Sequence, residues 1–72
     1  MQPVITDRVT VALIRKAADD LQCLQDRTKL SKTDLVNRAI TLYEFIEAQL
    51  RGGHDLLVRD NRTGAMQTVL IL

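Results

Sequence analysis

The chain has little of what holds small proteins together, and each shortage excludes something. A single cysteine, Cys23, rules out a disulfide within the chain. One cysteine and one histidine cannot supply the roughly four ligands of a structural zinc site. At 72 residues the chain is one small domain, and below roughly 70–80 residues a single core supplies only about 3–5 kcal/mol. With no disulfide or metal to add to this, association between copies is the expected route to stability. Long apolar runs are missing too. Nothing approaches the roughly 20 residues of a membrane span, and the N-terminus lacks the basic-then-apolar pattern of a signal peptide. A lone cysteine fits a reducing compartment, so a cytoplasmic location is expected. Charge of one sign is also lacking. Ten Lys and Arg against nine Asp and Glu leave a net charge of +1, which argues against a purely electrostatic nucleic-acid binder. It leaves open a binder whose cations share one surface.

Catalytic constellations are missing as well. There is no Ser/His/Asp or Cys/His spacing, no glycine-rich phosphate loop and no metal-ligand cluster. Asp19-Asp20 are adjacent on a charged helical face and read as solvation. His54, beside Gly52-Gly53, reads as a loop residue, and no sequence motif beside Cys23 marks it as a reactive thiol. The expectation is therefore a non-enzyme with no catalytic residue, metal or cofactor.

What is present begins with Asp7-Arg8-Val9-Thr10-Val11-Ala12-Leu13. Before it, residues 1–6 read as a flexible or partly extended arm, with Pro3 suited to a terminus. Strand side chains alternate between faces, so Val9, Val11 and Leu13 share one face and Arg8, Thr10 and Ala12 the other. The first set is apolar enough to bury. A strand so short needs a partner strand and helices beneath it.

A helix is predicted over Arg15–Thr28, with Ile14, Ala17, Ala18, Leu21 and Leu24 on one side and Gln25 and Thr28 at its margin. Cys23 falls on the charged side. Arg15–Asp19 and Lys16–Asp20 are spaced as four-residue ion pairs. Thr28-Lys29-Leu30 reads as a tight turn. Ser31 is a good N-cap, Asp34 suits the first helical turn, and Leu30 is placed to pack back on Leu35 as a hydrophobic staple. The second helix, about Lys32 to Arg51, places Leu35, Val36, Ala39, Ile40, Leu42, Tyr43, Ile46 and Leu50 over an arc of roughly 160°, wider than the usual stripe. Phe45 extends it. One strand and one helix cannot cover that arc, which implies burial against a second subunit. Gly52-Gly53 stops the helix.

The remainder divides into Asp55–Asp60, the turn-type residues Asn61-Arg62-Thr63-Gly64, and Ala65–Leu72. Two β-prone runs around such a turn predict a hairpin. Both faces of its last strand are apolar, so the hairpin is expected to pack on the core or on another subunit. There are no internal repeats and no low-complexity tracts.

The order strand, helix, helix resembles the ribbon-helix-helix family of DNA-binding proteins. The resemblance is carried by Arg8–Leu13, the amphipathic helix after it, and Leu30-Ser31-Lys32-Thr33-Asp34-Leu35-Val36-Asn37-Arg38-Ala39-Ile40, and it spans roughly Asp7 to Leu50. It implies a mainly α fold with a short β element. Two chains pair their strands into an antiparallel ribbon over an interlocked four-helix core, and the C-terminal hairpin of residues 54–72 extends the domain of residues 7–51. By that likeness Val9, Val11, Leu13, Leu21, Leu35, Ala39, Leu42, Tyr43 and Ile46 form the dimer core.

The ribbon of this family enters the major groove of double-stranded DNA, which admits a two-stranded β-ribbon. By position, Arg8, Thr10 and Ala12 are then the base-reading residues. Arg8 can donate twice to guanine, Thr10 can bond a base or offer its methyl to thymine, and Ala12 makes only an apolar contact where the family often has a longer polar or basic residue. The family also holds a phosphate at the start of its second helix, where unpaired N–H groups and the dipole favour an anion. Ser31, Lys32 and Thr33 match that place, and Lys29 stands where many members carry Gly. Many members also have Pro where Ile14 stands. The resemblance implies a prokaryotic, phage or plasmid transcriptional repressor, a homodimer with its hairpin joining dimers or reinforcing one. An alternative is an antitoxin whose C-terminal segment binds a toxin and whose ribbon regulates its own operon. A module that only oligomerises is a third reading, separable by the salt dependence of DNA binding.

Overall fold

The computed structural model describes residues 4–70. Positions 1–3 of the expected N-terminal arm and positions 71–72 of the expected last strand lie outside the described residues. From Val4 to Ile14 the chain carries neither helix nor paired strand, and every residue there is exposed. Helix α1 spans Arg15–Thr28, helix α2 Lys32–Arg51, and two short strands follow, β1 Leu57–Arg59 and β2 Met66–Thr68. The architecture is mainly helical, with one two-stranded antiparallel sheet.

Each boundary has a local cause. Ile14 precedes α1 in an extended conformation and offers no side-chain cap. At the other end Lys29 closes α1 in the left-handed region (φ 62°, ψ 17°), and its N–H still reaches the Gln25 carbonyl at 2.8 Å. The Thr28 hydroxyl donates to the Leu24 carbonyl at 2.7 Å and accepts from the Leu30 N–H at 3.2 Å, so one side chain serves both sides of the turn. Helix α2 ends in a Schellman arrangement. His54 N–H bonds the Gln49 carbonyl at 3.0 Å and Gly53 N–H the Leu50 carbonyl at 3.1 Å, with Gly53 at φ 86°. That φ suits glycine, which lacks the Cβ that penalises it elsewhere.

In the hairpin, Leu57 faces Thr68, Val58 faces Gln67 and Arg59 faces Met66. Its turn is held by Asp60. One carboxylate oxygen accepts from the N–H groups of Arg62 (2.7 Å) and Thr63 (3.3 Å). The Asp60 carbonyl accepts from Gly64 N–H at 2.8 Å, with Gly64 at φ 75°.

Tertiary packing is sparse. Leu35 is the buried hydrophobe among the described residues, at 6 % exposure. On α1 the half-buried residues are Ala17, Leu21 and Gln25, a line spaced by four that follows the one neighbouring helix. Ile14, Ala18 and Leu24, expected on the same face, stay exposed because nothing else lies against that side. On α2 the wide arc is real in sequence but largely uncovered: Val36, Ile40, Leu42, Tyr43 and Phe45 are exposed, while Ile46 and Leu50 are half-buried. Among the described elements, α1 touches α2 and β1 touches β2. The hairpin therefore does not pack on the helices, contrary to one of the two placements expected for it. Its Leu56 and Val69, joined by Val69 N–H to Leu56 carbonyl at 2.8 Å, are half-buried, whereas Leu57, Val58 and Met66 are exposed.

The radius of gyration is 15.1 Å, against about 11 Å for a compact chain of this length. The accessible surface is 7118 Å², against about 4500 Å² for a compact monomer of this size. Two ion pairs occur among the described residues, Lys16–Asp20 at 2.9 Å and Arg51–Glu47, both exposed and one helical turn apart. Such pairs contribute little, and the expected Arg15–Asp19 pair is not formed. No helix among the described residues is long and apolar enough to cross a membrane.

Candidate nucleic-acid interface

The turn between the helices and the first turn of α2 form the best-defined polar feature. Ser31 is extended (φ −71°, ψ 162°), which aims its hydroxyl back over the helix start, where Oγ accepts from Asp34 N–H at 3.1 Å. Its carbonyl accepts from Leu35 N–H at 3.0 Å. These bonds account for Asp34 and Leu35, whereas the N–H groups of Lys32 and Thr33 find no acceptor among the described residues. Those two donors sit at the positive end of a 20-residue helix. Asn37 donates to the Thr33 carbonyl at 2.8 Å and steadies the same turn.

Lys29, Ser31, Lys32 and Thr33 lie on one short stretch of chain, and all four are exposed. The left-handed Lys29 reverses the chain in three residues, and its ammonium stays on the solvent side of the turn. Arg27, in the last turn of α1, and Arg38, one turn into α2, add cations close by in sequence. None of Arg27, Lys29, Lys32 and Arg38 is in an ion pair among the described residues. Asp34 opposes them as the one acidic residue of the first turn of α2. Lys16, on the other helix, is engaged: its pKa is raised above the ordinary 10.5, first by the hydrogen bond that its ammonium donates to Asp20 and then by that carboxylate's charge.

The second feature is an open apolar crevice between the helices, on both sides of Leu35. One side, about 240 Å³, is lined by Leu13, Ala17, Leu21, Leu24, Val36 and Ala39 along with Leu35 and Asp20. The other, about 270 Å³, runs between Leu24, Thr28, Leu30, Leu35, Arg38, Ala39 and Leu42. Leu30 and Leu35 both line this second side. Of the residues expected in a dimer core, Leu13, Leu21, Leu35, Ala39 and Leu42 line this crevice. Val9, Val11 and Tyr43 stand exposed, and Ile46 is half-buried lower on α2.

The third feature is the segment before α1. Exposure falls along it from Val9 (78 %) through Val11 (61 %) to Leu13 (48 %), because only Leu13 reaches the crevice. Arg8, Thr10 and Ala12 are exposed and belong to no paired strand within the chain. The chain joins this segment to the crevice through Leu13 alone and does not place Arg8 in the polar turn.

Two contributors were missed from sequence. The sequence places Thr28 at the helix margin and at the head of the turn, but gives no sign that its hydroxyl bonds both the Leu24 carbonyl and the Leu30 N–H. Arg38 was given no role, yet it lines the crevice on the side of Thr28 and Leu30. Its spacing three after Leu35 and four before Leu42 is the signal that placed it there. Comparison with protein-family models, with curated proteins and with solved structures finds no match for this chain.

Proposed function

We propose that the chain is a ribbon-helix-helix DNA-binding protein that acts as a homodimeric transcriptional repressor. The observation that carries this reading is the exposed apolar set Val9, Val11 and Leu13, of which Leu13 reaches an apolar crevice that one copy leaves open. The chain exposes about 2600 Å² more than a compact monomer, well above the roughly 800 Å² per partner of an ordinary stable interface. A second copy supplies what is missing in two ways. Its segment pairs with Arg8–Leu13 as the second strand, and its helices close the crevice over Leu35. Pairing turns Val9, Val11 and Leu13 inward, and alternation then turns Arg8, Thr10 and Ala12 outward together.

That outward row is narrow enough for the major groove. Arg8 reads guanine through O6 and N7, Thr10 contacts a base edge or a thymine methyl, and Ala12 makes only van der Waals contact. At each flank the free N–H groups of Lys32 and Thr33, with the Ser31 hydroxyl and the Lys29 and Lys32 ammonium groups, hold a DNA phosphate. Repression follows from occupying a promoter. The two-fold symmetry of such a dimer calls for a palindromic or repeated site.

The antitoxin alternative needs a C-terminal segment that moulds itself onto a toxin, and such segments are charged and disordered when free. Here residues 57–68 form a hairpin with a defined register and turn, which weighs toward the repressor.

The test is a footprint on the DNA upstream of the protein's own coding region, with wild type and Arg8→Ala side by side. Wild type is expected to protect a symmetric site, with affinity falling steeply as salt rises. Arg8→Ala is expected to retain non-specific binding and lose site preference. Equal, sequence-independent binding by both proteins sinks the base-reading role, and no binding at low salt sinks the DNA reading as a whole. A toxic protein co-purifying stoichiometrically would instead establish the alternative.

A further inference from the structure

The hairpin carries a surface that the DNA reading does not use. Two strands alone are marginal in water, and this pair is not covered by the helices. Its register fixes which backbone groups are free. Val69 N–H bonds the Leu56 carbonyl and Asp60 N–H bonds the Ala65 carbonyl, so residues 56, 58 and 60 turn their backbone groups toward β2. By the alternation of an antiparallel ladder, Leu57 and Arg59 turn theirs outward, and the same alternation carried two residues before β1 assigns Asp55 to that side. Those three also share one side-chain face, and all are exposed.

The geometry points to β1 as a self-complementary edge that pairs antiparallel with β1 of a second copy, giving a four-stranded sheet in the order β2-β1-β1-β2. Centring the two-fold on Leu57 sets Leu57 against its own counterpart as a hydrogen-bonded pair. Asp55 then faces Arg59 of the other copy, and Arg59 faces its Asp55. Both are again outward-facing positions, so the backbone pattern and the charges agree in one register. Opposite charges directly across strands stabilise pairing, and like charges there oppose it. The free edge of β2 has no such charge match, because Met66, Thr68 and Leu70 are uncharged. Edge strands commonly carry charges that discourage pairing. Here like charges meet when the two-fold is centred on Asp55 or on Arg59, and opposite charges meet when it is centred on Leu57. The occupant is a second copy of this chain, and the contact is independent of the Arg8–Leu13 segment.

The test uses the full chain with Cys23→Ser as background and needs no DNA, so its failure and the failure of the DNA reading are separately visible. In a hydrogen-bonded antiparallel pair the Cα atoms lie about 5.5 Å apart, within disulfide reach. Leu57→Cys is expected to cross-link copies rapidly under mild oxidation, and Thr68→Cys, at the corresponding place on the β2 edge, at least tenfold more slowly. In parallel, Asp55→Arg or Arg59→Asp alone is expected to weaken this association about tenfold in sedimentation equilibrium. The double exchange Asp55→Arg with Arg59→Asp restores it, because each cation again faces an anion. Equal rates at the two cysteine positions, a faster rate at 68, or no recovery in the double exchange overturns the proposal.

Discussion

At the scale of single residues, the inter-helix turn on the proposed reading sets stability against binding. Lys29 occupies a left-handed conformation that costs a non-glycine residue about 1 kcal/mol. Lys29→Gly is therefore expected to stabilise the fold by about that amount in urea unfolding at fixed protein concentration, and to weaken DNA binding with a shallower salt dependence. Stabilisation without loss of affinity removes Lys29 from the phosphate site. Ser31→Ala removes the bond to Asp34 N–H and is expected to cost about 1 kcal/mol. Ser31→Asp should keep the cap yet bind DNA more weakly, because it brings a negative charge to the phosphate. The two glycines after α2 are not equivalent. Gly53 sits at φ +86° with open space around a would-be Cβ, so Gly53→Ala is expected to cost about 1 kcal/mol from backbone strain alone. Gly52, at φ −76°, should accept alanine with little change in melting temperature. Lys16 gives no pH dependence near neutrality. Its raised pKa means that the contribution of the Asp20 contact is in place below about 10.5 and is lost only as pH climbs through the raised value.

At the scale of elements, Val11→Lys separates a ribbon from a disordered arm. If Val11 faces a partner, helical circular dichroism is lost at concentrations where wild type is folded, whereas Arg8→Ala leaves it unchanged. Equal helicity in both variants would mean that the segment has no structural partner. Both helices and the hairpin were legible in the sequence because each carries its own punctuation. Ser31 starts α2, Gly52-Gly53 ends it, and Asn61–Gly64 turns the hairpin. Their causes are local, so one chain suffices to show them. The strand over Arg8–Leu13 follows from alternation, but pairing is a property of two strands, and the described residues supply no second one for it. The same reason accounts for the exposed Leu42 and Tyr43: an apolar arc marks what must be covered without identifying the cover. The Asp60 carboxylate turn and the double duty of Thr28 were not legible, because side-chain-to-backbone bonds depend on a geometry that periodicity does not encode.

At the scale of the whole molecule, one buried leucine cannot offset the conformational entropy of ordering about 50 residues. Folding is therefore coupled to association on the proposed reading, and the melting temperature is expected to rise with protein concentration. A melting temperature unchanged over a hundredfold dilution would show that one copy folds alone. The polar turn is a property of one chain, whereas the proposed pair of phosphate clamps is a property of two. The conformation of the turn was therefore legible in the sequence, and the spacing of such a pair was not.

On the proposed dimer reading, the crevice around Leu35 also has a kinetic consequence. If a second copy's helices fill it, the two chains share one core, and they cannot slide apart intact. Exchange of partners must then pass through unfolding, so its rate should match the unfolding rate and show the same steep dependence on temperature. Mixing donor-labelled and acceptor-labelled samples would reveal this as a slow rise in energy transfer. Chains made together would remain together, and two variants expressed in one cell would form mixed pairs mainly as they are synthesised.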